Sequence, residues 1–487
     1  MSQMKKPKKF DYNLIVIGAG SAGLVSAYIA AAIKAKVALI EKHEMGGDCL
    51  NTGCVPSKAL IRSAKILSYA ARAKEFGLDE MQAKFRFSAV MERVQRVIAD
   101  IAPHDSVERY TGLGVDVIRG EANILSPYHI EVNGEVLTCK NIIVATGARP
   151  VVPELPGLET IEYLTSDNVW QLREQPRRLL VLGGGPIGCE LAQAFQRLGS
   201  EVTLVQRGDR ILPREDEDVS AQVSARFHAE GIKVLTEYSA LSIVHEDGKK
   251  ILVCRTETGD ERIEFDQLLI ALGRKANVSG FGLQELGVEL RKNGTVQADA
   301  FLRTNFPNIY VCGDVTGPYQ FTHTASHQAW YASVNALFSP FKKFRVDYRV
   351  IPWATYTDPE VARVGLNEHE AKELGIAYDV TRYGIDDLDR AIVDGENHGW
   401  VKVLTVPGKD RILGVTIVGS QAAELIAEFV LAMRLGAGLN KILGTIHIYP
   451  TLSEANKYVA GQWRKQNKPE GLLRWLARFH RWRRGGN

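Results

Sequence analysis

Two cysteines five residues apart carry the clearest chemical signal in this sequence. Cys49 and Cys54 lie in the glycine-lined segment GGDCLNTGCVPSK (46–58), and the chain has only six cysteines in 487 residues. A disulfide requires Cα atoms about 4.4–6.8 Å apart, which a distorted first helical turn provides. A zinc site normally requires a second pair of ligands, and the sequence has no other two cysteines close together. We therefore predict a redox-active pair; a metal site and two inert buried thiols are the alternatives.

The elements around this pair begin with a nucleotide-binding pattern. The segment YNLIVIGAGSAGLVSAYIAAA (12–32) predicts a buried strand, a glycine turn and a helix, and KVALIEK (36–42) predicts a second strand. Glycines in G-x-G-x-x-G spacing let the backbone approach a pyrophosphate at the helix N-terminus, and an acid about 20 residues further on bonds a ribose hydroxyl. An ordinary tight turn is the alternative. The predicted cofactor contacts are Gly18, Gly20, Ser21, Gly23, Glu41 and Lys42.

The same pattern returns in RRLLVLGGGPIGCELAQAFQRLGSEVTLVQR (177–207), so two dinucleotides are expected. The second strand of this segment ends in Gln206 and Arg207 instead of an acid. Loss of the acid beside an arginine accommodates the 2′-phosphate of NADP, so NADPH is slightly favoured over NADH. A solvated surface charge is the other interpretation of Arg207. The predicted contacts are Gly183, Gly185, Gly188, Gln206 and Arg207.

Three further strand ends predict cofactor contacts. NIIVATGARP (141–150) and QLLIALGRKAN (267–277) each end in a glycine turn, and NIYVCGDV places an acid at the carboxyl end of a buried strand, where ligands of such sheets bind. A turn aspartate that caps the next helix is the alternative for that acid. The predicted contacts are Thr146, Gly147, Gly273, Gly313 and Asp314.

Length and composition indicate an enzyme of about three domains. The composition is 45% hydrophobic and 24% charged, and no apolar run is long enough to span a bilayer. The basic N-terminus is not followed by a signal-peptide pattern, so a cytoplasmic location is expected. No nucleic-acid-binding module and no resident metal site are expected.

Taken together, these motifs resemble the flavin-dependent pyridine nucleotide-disulfide oxidoreductases, which include glutathione reductase, dihydrolipoamide dehydrogenase and mercuric reductase. The resemblance implies an α/β fold with two Rossmann-like domains, for FAD and NAD(P), and a C-terminal α+β dimerisation domain. The implied boundaries are 1–148 for the first part of the FAD domain, 149–275 for the NAD(P) domain, 276–345 for the return to the FAD domain, 346–462 for dimerisation and 463–487 for a tail.

The same resemblance implies a role for each residue of the cysteine segment. FAD occupies the first fingerprint, with Asp314 on its ribitol, and the nicotinamide nucleotide occupies the second. Cys54 is the cysteine nearer the flavin, and Cys49 attacks the substrate. Lys58 and Glu190 match the family's ion pair near the reactive flavin nitrogen; surface residues are the alternative for either. A homodimer is expected, because the C-terminal acid–base residue comes from the partner.

One motif departs from part of the family. In HIYPTLSE (447–454) the residue before Pro-Thr is Tyr449, where glutathione reductase and dihydrolipoamide dehydrogenase have a histidine; Glu454 is kept. A phenol with a pKa near 10 is a poor base at neutral pH. Mercuric reductase also has tyrosine here, although its vicinal C-terminal cysteines are absent from this chain. His447 is either a structural histidine or a substitute base.

The C-terminal tail, residues 463–487, carries eight Lys or Arg and one Glu. In a helix its apolar residues share one face and its arginines lie opposite, which predicts a basic amphipathic helix. The apolar positions are Leu472, Trp475, Leu476, Phe479 and Trp482, and the arginines are Arg474, Arg478 and Arg481. The helix either packs on its own subunit or dimer mate, or contacts an anionic membrane surface or an acidic partner.

Three functional hypotheses follow. The leading one is an FAD-dependent NAD(P)H oxidoreductase, similar to mercuric reductase, that reduces a disulfide or a thiol-bound metal through Cys49 and Cys54. The second is a dihydrolipoamide dehydrogenase-type enzyme. The third is a flavoprotein that relays electrons or senses redox state, peripheral at the membrane through the tail.

Overall fold

A computed structural model describes residues 4–486, and the chain divides into two compact units. The first unit comprises the residues up to Ala73, Asp79–Ile211 and Glu230–Asp347. The second comprises Lys74–Leu78, Leu212–Ala229 and the residues from Tyr348 onward. Among the described residues, no helix is both long and apolar enough to cross a membrane.

The first unit begins with a seven-stranded sheet. Its elements are β1 (Tyr12–Ile17), α1 (Ser21–Ala32), β2 (Val37–Glu41), α2 (Gly47–Asn51), α3 (Cys54–Ala71), α4 (Phe87–Ile101), α5 (Val107–Gly112), β3 (Val115–Arg119), β4 (Asn123–Ser126), β5 (His129–Val132) and β6 (Glu135–Val144). The strand order is β3-β2-β1-β6-β5-β4, and strands β3, β2, β1 and β6 are parallel. Both faces of β1 are buried, which explains its uninterrupted apolar run Leu14–Ile17.

The middle of the chain forms a second parallel sheet. Its elements are β7 (Ala148–Pro150), β8 (Tyr163–Leu164), β9 (Arg178–Leu182), α6 (Pro186–Arg197), β10 (Glu201–Gln206), α7 (Glu217–Ala229), β11 (Lys233–Thr236), β12 (Ser239–Glu246), β13 (Lys249–Thr256), β14 (Gly259–Phe265), β15 (Gln267–Ile270) and β16 (Arg274–Ala276). The sheet order is β11-β10-β9-β15-β8, while β12-β13-β14 form a separate antiparallel sheet and β7 pairs with β16. Helix α7 groups with the second unit.

The chain then returns to the first sheet. Strand β17 (Ile309–Val311) pairs in parallel with β6, and α8 (Thr322–Phe338) packs on α1. Alanines dominate the buried face of α1, so α8 approaches it closely; Ala27 and Ala30 are fully buried. The start of α8 therefore lies at the same end of the sheet as the turn after β1.

The second unit contains a five-stranded antiparallel sheet. Its remaining elements are β18 (Pro352–Thr355), β19 (Glu360–Gly365), α9 (Glu368–Glu373), β20 (Asp379–Gly384), α10 (Asp389–Val393), β21 (Trp400–Thr405), β22 (Ile412–Gly419), α11 (Ala422–Leu435), α12 (Leu439–Leu443), α13 (Glu454–Gln466) and α14 (Glu470–Arg483). The sheet order is β18-β19-β22-β21-β20. Helices α11 and α13 cover the sheet through a core that includes Phe429, Val459 and Trp463.

The predicted tail helix is present as α14. None of its residues is buried, and Trp475 and Trp482 are 58% and 71% exposed. The Trp475 and Phe479 rings stack with centroids 5.6 Å apart, so the apolar residues form a continuous face within the helix. In the part of the second unit that the structure describes, α14 therefore contributes no core residue.

Candidate active site

A cavity of about 720 Å³ lies in the first unit, at the carboxyl ends of its parallel strands. Its volume is within the range of small-molecule and cofactor sites, about 300–1,000 Å³. Residues from many separate segments of the sequence, between Ile17 and Ala325, line it. The predicted site residues among them are Gly18, Gly20, Ser21, Glu41, Lys42, Cys49, Cys54, Lys58, Thr146, Gly147, Glu190, Gly313 and Asp314.

The turn from β1 to α1 forms one end of the cavity. Gly18 has φ +99°, and a Cβ on Gly23 would lie 1.7 Å from the Gly18 carbonyl oxygen, so helix and turn pack at a distance only glycine permits. Gly20, the N-cap of α1, provides no side-chain cap for the first-turn N–H groups. These N–H groups and the helix dipole fit an anionic group such as a pyrophosphate.

Glu41 ends β2 beside this turn. Its Oε2 accepts a hydrogen bond from the Ala19 backbone N–H at 2.6 Å, and its Oε1 accepts one from the His43 N–H at 2.8 Å. The two bonds fix the carboxylate at the cavity wall, where its remaining lone pairs can accept from ribose hydroxyls. Together with the glycine turn, Glu41 fits the adenosine and pyrophosphate portions of a dinucleotide such as FAD.

The cysteine pair lies at the junction of α2 and α3. Gly53 joins the two helices, and a Cβ there would lie 2.8 Å from the Asp48 carbonyl oxygen. Both cysteines are free thiols that hydrogen-bond each other, and Cys54 Sγ lies 3.4 Å from Thr322 Oγ1 at the start of α8. Two helix starts and a glycine joint thus hold the two sulfur atoms together on one cavity wall.

The two thiols differ in acidity. The hydrogen bond from Cys49 lowers the pKa of Cys54, and the Thr322 hydroxyl and the Lys58 charge lower it further, against the opposing effect of burial. The same hydrogen bond, together with burial, raises the pKa of Cys49. Cys54 is therefore the thiolate of the pair when a single proton is shared between them.

Lys58 and Glu190 form an ion pair across the cavity wall. Lys58 Nζ lies 2.7 Å from Glu190 Oε2; α3 supplies the lysine and α6 the glutamate. The Glu190 side chain is 7% exposed and that of Lys58 is 36% exposed. The pair lies on the same wall as Cys54, since the Lys58 charge contributes to the lowered pKa of that thiol.

Asp314 also lines the cavity. Burial raises its pKa to about 6, and the nearby Arg274 guanidinium, with Nε 3.7 Å from Asp314 Oδ2, opposes that rise. Arg274 also bonds Asp48 of α2 and the Ala148 carbonyl oxygen. A half-buried carboxyl group that lines the cavity can bond a polyol hydroxyl, which fits the ribitol predicted for FAD.

The glycines of the second fingerprint do not line this cavity, although Glu190 of the same segment does. A Cβ on Gly188 would lie 1.9 Å from the Gly183 carbonyl oxygen, so the turn from β9 to α6 has the same close approach as the first. Gln206 Oε1 accepts from the Gly184 N–H at 2.9 Å, and Arg207 is exposed. Gly185 is the N-cap of α6, and Gly273, with φ +115°, ends the turn between β15 and β16.

Tyr449 and Glu454 belong to the second unit and do not bond each other there. The Tyr449 hydroxyl, on a 66% exposed side chain, donates to Asp389 Oδ2 at 3.0 Å, which raises the pKa of the phenol. Glu454 is buried and accepts from the Thr451 N–H and the Tyr458 hydroxyl. Tyr449 is therefore a neutral hydrogen-bond donor at pH 7.

His447 has the environment of a structural histidine. Its Nε2 lies 3.0 Å from Glu428 Oε1 and its Nδ1 lies 3.1 Å from the Thr445 carbonyl oxygen, and its side chain is 6% exposed. Both ring nitrogens contact acceptors of the second unit, so neither is directed at a substrate.

Sequence reasoning missed three polar residues at these sites. Thr322 contacts Cys54 from 268 positions away, and Asp389 contacts Tyr449 from 60 positions away, so no spacing connects them. Arg274, by contrast, directly follows Gly273 in a recognised motif. Its position after a strand that ends at a cofactor turn could have identified it.

Comparisons with known proteins agree with this geometry. The family model "Pyridine nucleotide-disulphide oxidoreductase" matches residues 12–329, and its dimerisation domain matches 351–460. The chain is 34% identical to "Mercuric reductase" of Staphylococcus aureus over 92% of this chain and 82% of that protein. It is 35% identical to "Dihydrolipoyl dehydrogenase" of Chlamydia trachomatis serovar D, over 91% and 95% of the two chains.

A solved structure shares the fold. The Cu(II) complex of the HOCl-induced flavoprotein disulfide reductase RclA from Escherichia coli superposes with a TM-score of 0.81 at 27% identity, over 91% of this chain and 98% of that one. The predicted α/β class, with a nucleotide-binding region and a C-terminal dimerisation domain, is confirmed by these matches.

Proposed function

Because the chain belongs to the pyridine nucleotide-disulphide oxidoreductase family of flavoenzymes, we propose that it is an FAD-dependent NAD(P)H oxidoreductase that uses Cys49 and Cys54 to reduce a disulfide or a thiolate-bound metal ion. The observation that carries the proposal is the cavity wall on which a low-pKa Cys54, its partner Cys49 and the Lys58–Glu190 pair lie together. When bound, FAD would transfer the electron pair of the nicotinamide to the disulfide.

The cysteines then exchange electrons with a substrate disulfide. Cys49, as a thiolate, attacks one substrate sulfur, forms a mixed disulfide and expels the other sulfur as a thiolate. Cys54 attacks the Cys49 sulfur, expels the second substrate thiolate and restores the Cys49–Cys54 disulfide. The acidity difference sets what the first step requires: Cys54 is already the thiolate and needs no base, whereas Cys49 must pass its proton to a neighbouring group or to the substrate before it can attack.

The residue before Pro450 is Tyr449, and a tyrosine at this position favours a metal substrate over a dithiol. Dihydrolipoamide turnover requires a base, and Tyr449 is a donor whose pKa is raised by Asp389. Thiolates are ligands of soft metal ions, so Hg(II) or copper bound at Cys49 and Cys54 needs no proton abstraction from a substrate. The mercuric reductase relatives and the Cu(II) complex of RclA support this choice.

The matched dimerisation domain indicates a homodimer. We propose that Tyr449 and Glu454 serve the cysteine pair of the partner subunit. Exposed apolar residues beside Tyr449 support a covered surface there: Ile446 is 94% exposed and Ile448 is 77% exposed.

NADPH is the proposed reductant. Gln206 stands where an NAD-specific site has an acid, and the exposed Arg207 follows it. A neutral amide imposes no charge repulsion on a 2′-phosphate, and the guanidinium can pair with it.

Paired assays with purified dimer test the proposed substrate. We expect Hg(II)- or Cu(II)-dependent NADPH oxidation to exceed NAD⁺ reduction by dihydrolipoamide, and Cys54→Ser to abolish the former. Cys139→Ser is the matched control, since Cys139 is buried in β6 away from the cavity and should leave the rate intact. A rate seen only with dihydrolipoamide would instead support the second hypothesis.

The exposed α14 favours a peripheral membrane location as a second candidate property, suited to a redox relay or sensor. Its apolar face includes Leu472, Trp475 and Trp482, all at least half exposed, and the tail is strongly basic. Deletion of residues 469–487 removes α14 but keeps Trp463, which is buried in the core. We expect the full chain, and not the deletion variant, to sediment with vesicles containing phosphatidylserine; equal sedimentation would remove the membrane role.

A further inference from the structure

The second unit contains a cluster of metal-ligating side chains that the redox chemistry does not use. Asp358 lies in the turn before β19, and Glu396 and His398 lie in the segment before β21. One ligand atom of each residue lies within 4.8 Å of the others. From these contacts we propose that Asp358, Glu396 and His398 bind a divalent first-row cation such as Zn²⁺.

Sheet topology explains why residues 40 positions apart converge. Strands β19 and β21 both pair antiparallel with β22, so they run parallel to each other and start at the same edge of the sheet. Glu360 at the start of β19 pairs with Gly419, and Trp400 at the start of β21 pairs with Val418. The residues just before each strand therefore meet at one edge.

The backbone around the cluster is fixed on both sides. The Glu396 N–H donates to the Ala391 carbonyl at 2.8 Å, and the Thr357 hydroxyl donates to the Pro359 carbonyl at 2.7 Å. Gly399 has φ +112°, and a Cβ there would lie 2.0 Å from the Val418 carbonyl oxygen. The tight approach of Gly399 sets where His398 leaves the sheet, so the ligands are held on a rigid edge and not on a mobile loop.

The separation of the side chains fits shared coordination. His398 Nε2 lies 3.7 Å from Glu396 Oε2, which is longer than a hydrogen bond of about 2.7–3.2 Å. Two ligand atoms about 2.1 Å from one tetrahedral ion lie roughly 3.4 Å apart. The observed distance is therefore close to that of two ligands on one ion.

The ligand types select the kind of cation. One imidazole and two carboxylates suit Zn²⁺ or Mn²⁺, whereas the thiolates of the first unit suit soft ions. Asp358 and Glu396 are buried, at 5% and 3% exposure, and a divalent ion would balance the charge of the two carboxylates. The His398 side chain is 29% exposed and provides the side from which water could complete the coordination.

The consequence is a structural clamp independent of the proposed reductase activity. The bound ion would tie the turn before β19 to the segment before β21 at one sheet edge. The sequence contains no ligand spacing that predicts this site, because its three residues come from two separate segments.

The test uses the FAD-loaded full-length Cys49→Ser/Cys54→Ser variant, because its two thiols would otherwise bind the same ions. After EDTA treatment and dialysis, we expect calorimetric titration with Zn²⁺ to give about one equivalent per chain and to raise the melting temperature. Adding Glu396→Gln should weaken binding by at least the roughly 10–100-fold that even an outer-shell change costs. His398→Gln, which keeps a side chain of similar size, should do the same if the Glu396 variant does not fold.

The matched control is His369→Ala. His369 Nε2 lies 3.3 Å from Glu373 on the exposed surface of α9, so it represents adventitious binding to a surface His–Glu pair. We expect this variant to bind about one equivalent of Zn²⁺ per chain and to show the same rise in melting temperature. Absence of a bound equivalent in the parent, or binding unaffected by both Glu396→Gln and His398→Gln, would overturn the proposal; in those cases the cluster is a hydrogen-bonding group only.

Discussion

The two nucleotide-binding segments have the same strand–turn–helix–strand backbone. The residue that ends the second strand is a charged glutamate, Glu41, in the first segment and a neutral glutamine, Gln206, in the second. In the first, Glu41 Oε2 accepts from the Ala19 N–H at 2.6 Å; in the second, Gln206 Oε1 accepts from the Gly184 N–H at 2.9 Å. Each bond reaches back 22 residues to the glycine turn. The side chain at the end of the second strand thus braces the turn in both segments.

The comparison separates two roles of this residue: it holds the glycine turn, and it distinguishes one nucleotide from the other. Bracing requires only an acceptor oxygen, which glutamate and glutamine both supply. The net charge is free to differ, and it is the property that distinguishes a ribose hydroxyl from a 2′-phosphate. The backbone of the motif therefore predicts that a dinucleotide binds, and the residue after β10 indicates which one.

The largest expected effect comes from adding one methyl group to the helix that follows each glycine turn, at Gly23 of α1 and Gly188 of α6. In Gly23→Ala and in Gly188→Ala the new Cβ would lie under 2 Å from a backbone oxygen, so each substitution should cost at least about 3 kcal/mol of local distortion. We expect Gly23→Ala to purify without flavin, and Gly188→Ala to keep flavin absorbance while its KM for NADPH rises at least about tenfold.

Gly112→Ala is the control for that pair, since a Cβ there meets no atom within 4 Å. Flavin content per chain and steady-state kinetics give the readouts. If Gly188→Ala lost flavin as completely as Gly23→Ala, the two segments would not bind separate nucleotides.

A smaller effect is expected from Lys58→Met. The variant would lose the ion pair between Lys58 and Glu190, and because the Lys58 side chain is partly exposed we expect the free energy of unfolding to fall by about 1–3 kcal/mol, less than for a fully buried pair. The Cys54 pKa is lowered in the folded protein, so its thiolate is present at neutral pH and is lost as the pH falls. Removing the Lys58 charge should raise that pKa and move the loss to higher pH.

Iodoacetamide labelling of Cys54 in the reduced protein measures the shift. At pH 6 we expect about three- to tenfold slower labelling in Lys58→Met than in wild type. Lys58→Arg keeps the charge and should label like wild type. Identical pH profiles for Lys58→Met and wild type would show that the lysine does not act on Cys54.

Exchanging the acceptor of the second segment should produce the smallest effect. Gln206→Glu keeps the bond to Gly184 but adds a negative charge, so kcat/KM for NADPH should fall about tenfold, or about 1.4 kcal/mol, while that for NADH changes little. Arg207→Ala should lower kcat/KM for NADPH and leave kcat/KM for NADH unchanged. Equal losses with both nucleotides would indicate damage to the turn and not a change of preference.

Sequence alone predicts the parts of this molecule that local physics specifies. Both glycine turns, the cysteine segment and the tail helix depend on residues within about 30 positions, so their patterns are complete within one segment. The α/β class follows from the same strand–turn–helix order. His447 was left between two roles by its sequence, and its contact with Glu428 on α11 favours the structural one.

The contacts between distant segments could not be predicted. Thr322 reaches Cys54 because α8 packs on α1, and Asp389 reaches Tyr449 because α10 lies beside the loop before α13. Each pairing depends on how whole elements pack, and threonine and aspartate are common enough that their type alone indicates nothing. The edge cluster of Asp358, Glu396 and His398 was missed for the same reason.

The most direct test of the central claim is a thiol count under anaerobic conditions. The purified flavoprotein is treated with a small excess of NADPH, denatured in the presence of a maleimide, and analysed by mass spectrometry. We predict two additional labelled thiols per chain, at Cys49 and Cys54, relative to protein not treated with NADPH. An unchanged thiol count, with the flavin fully reduced, would contradict the assignment of this pair as the acceptor of electrons from the nicotinamide.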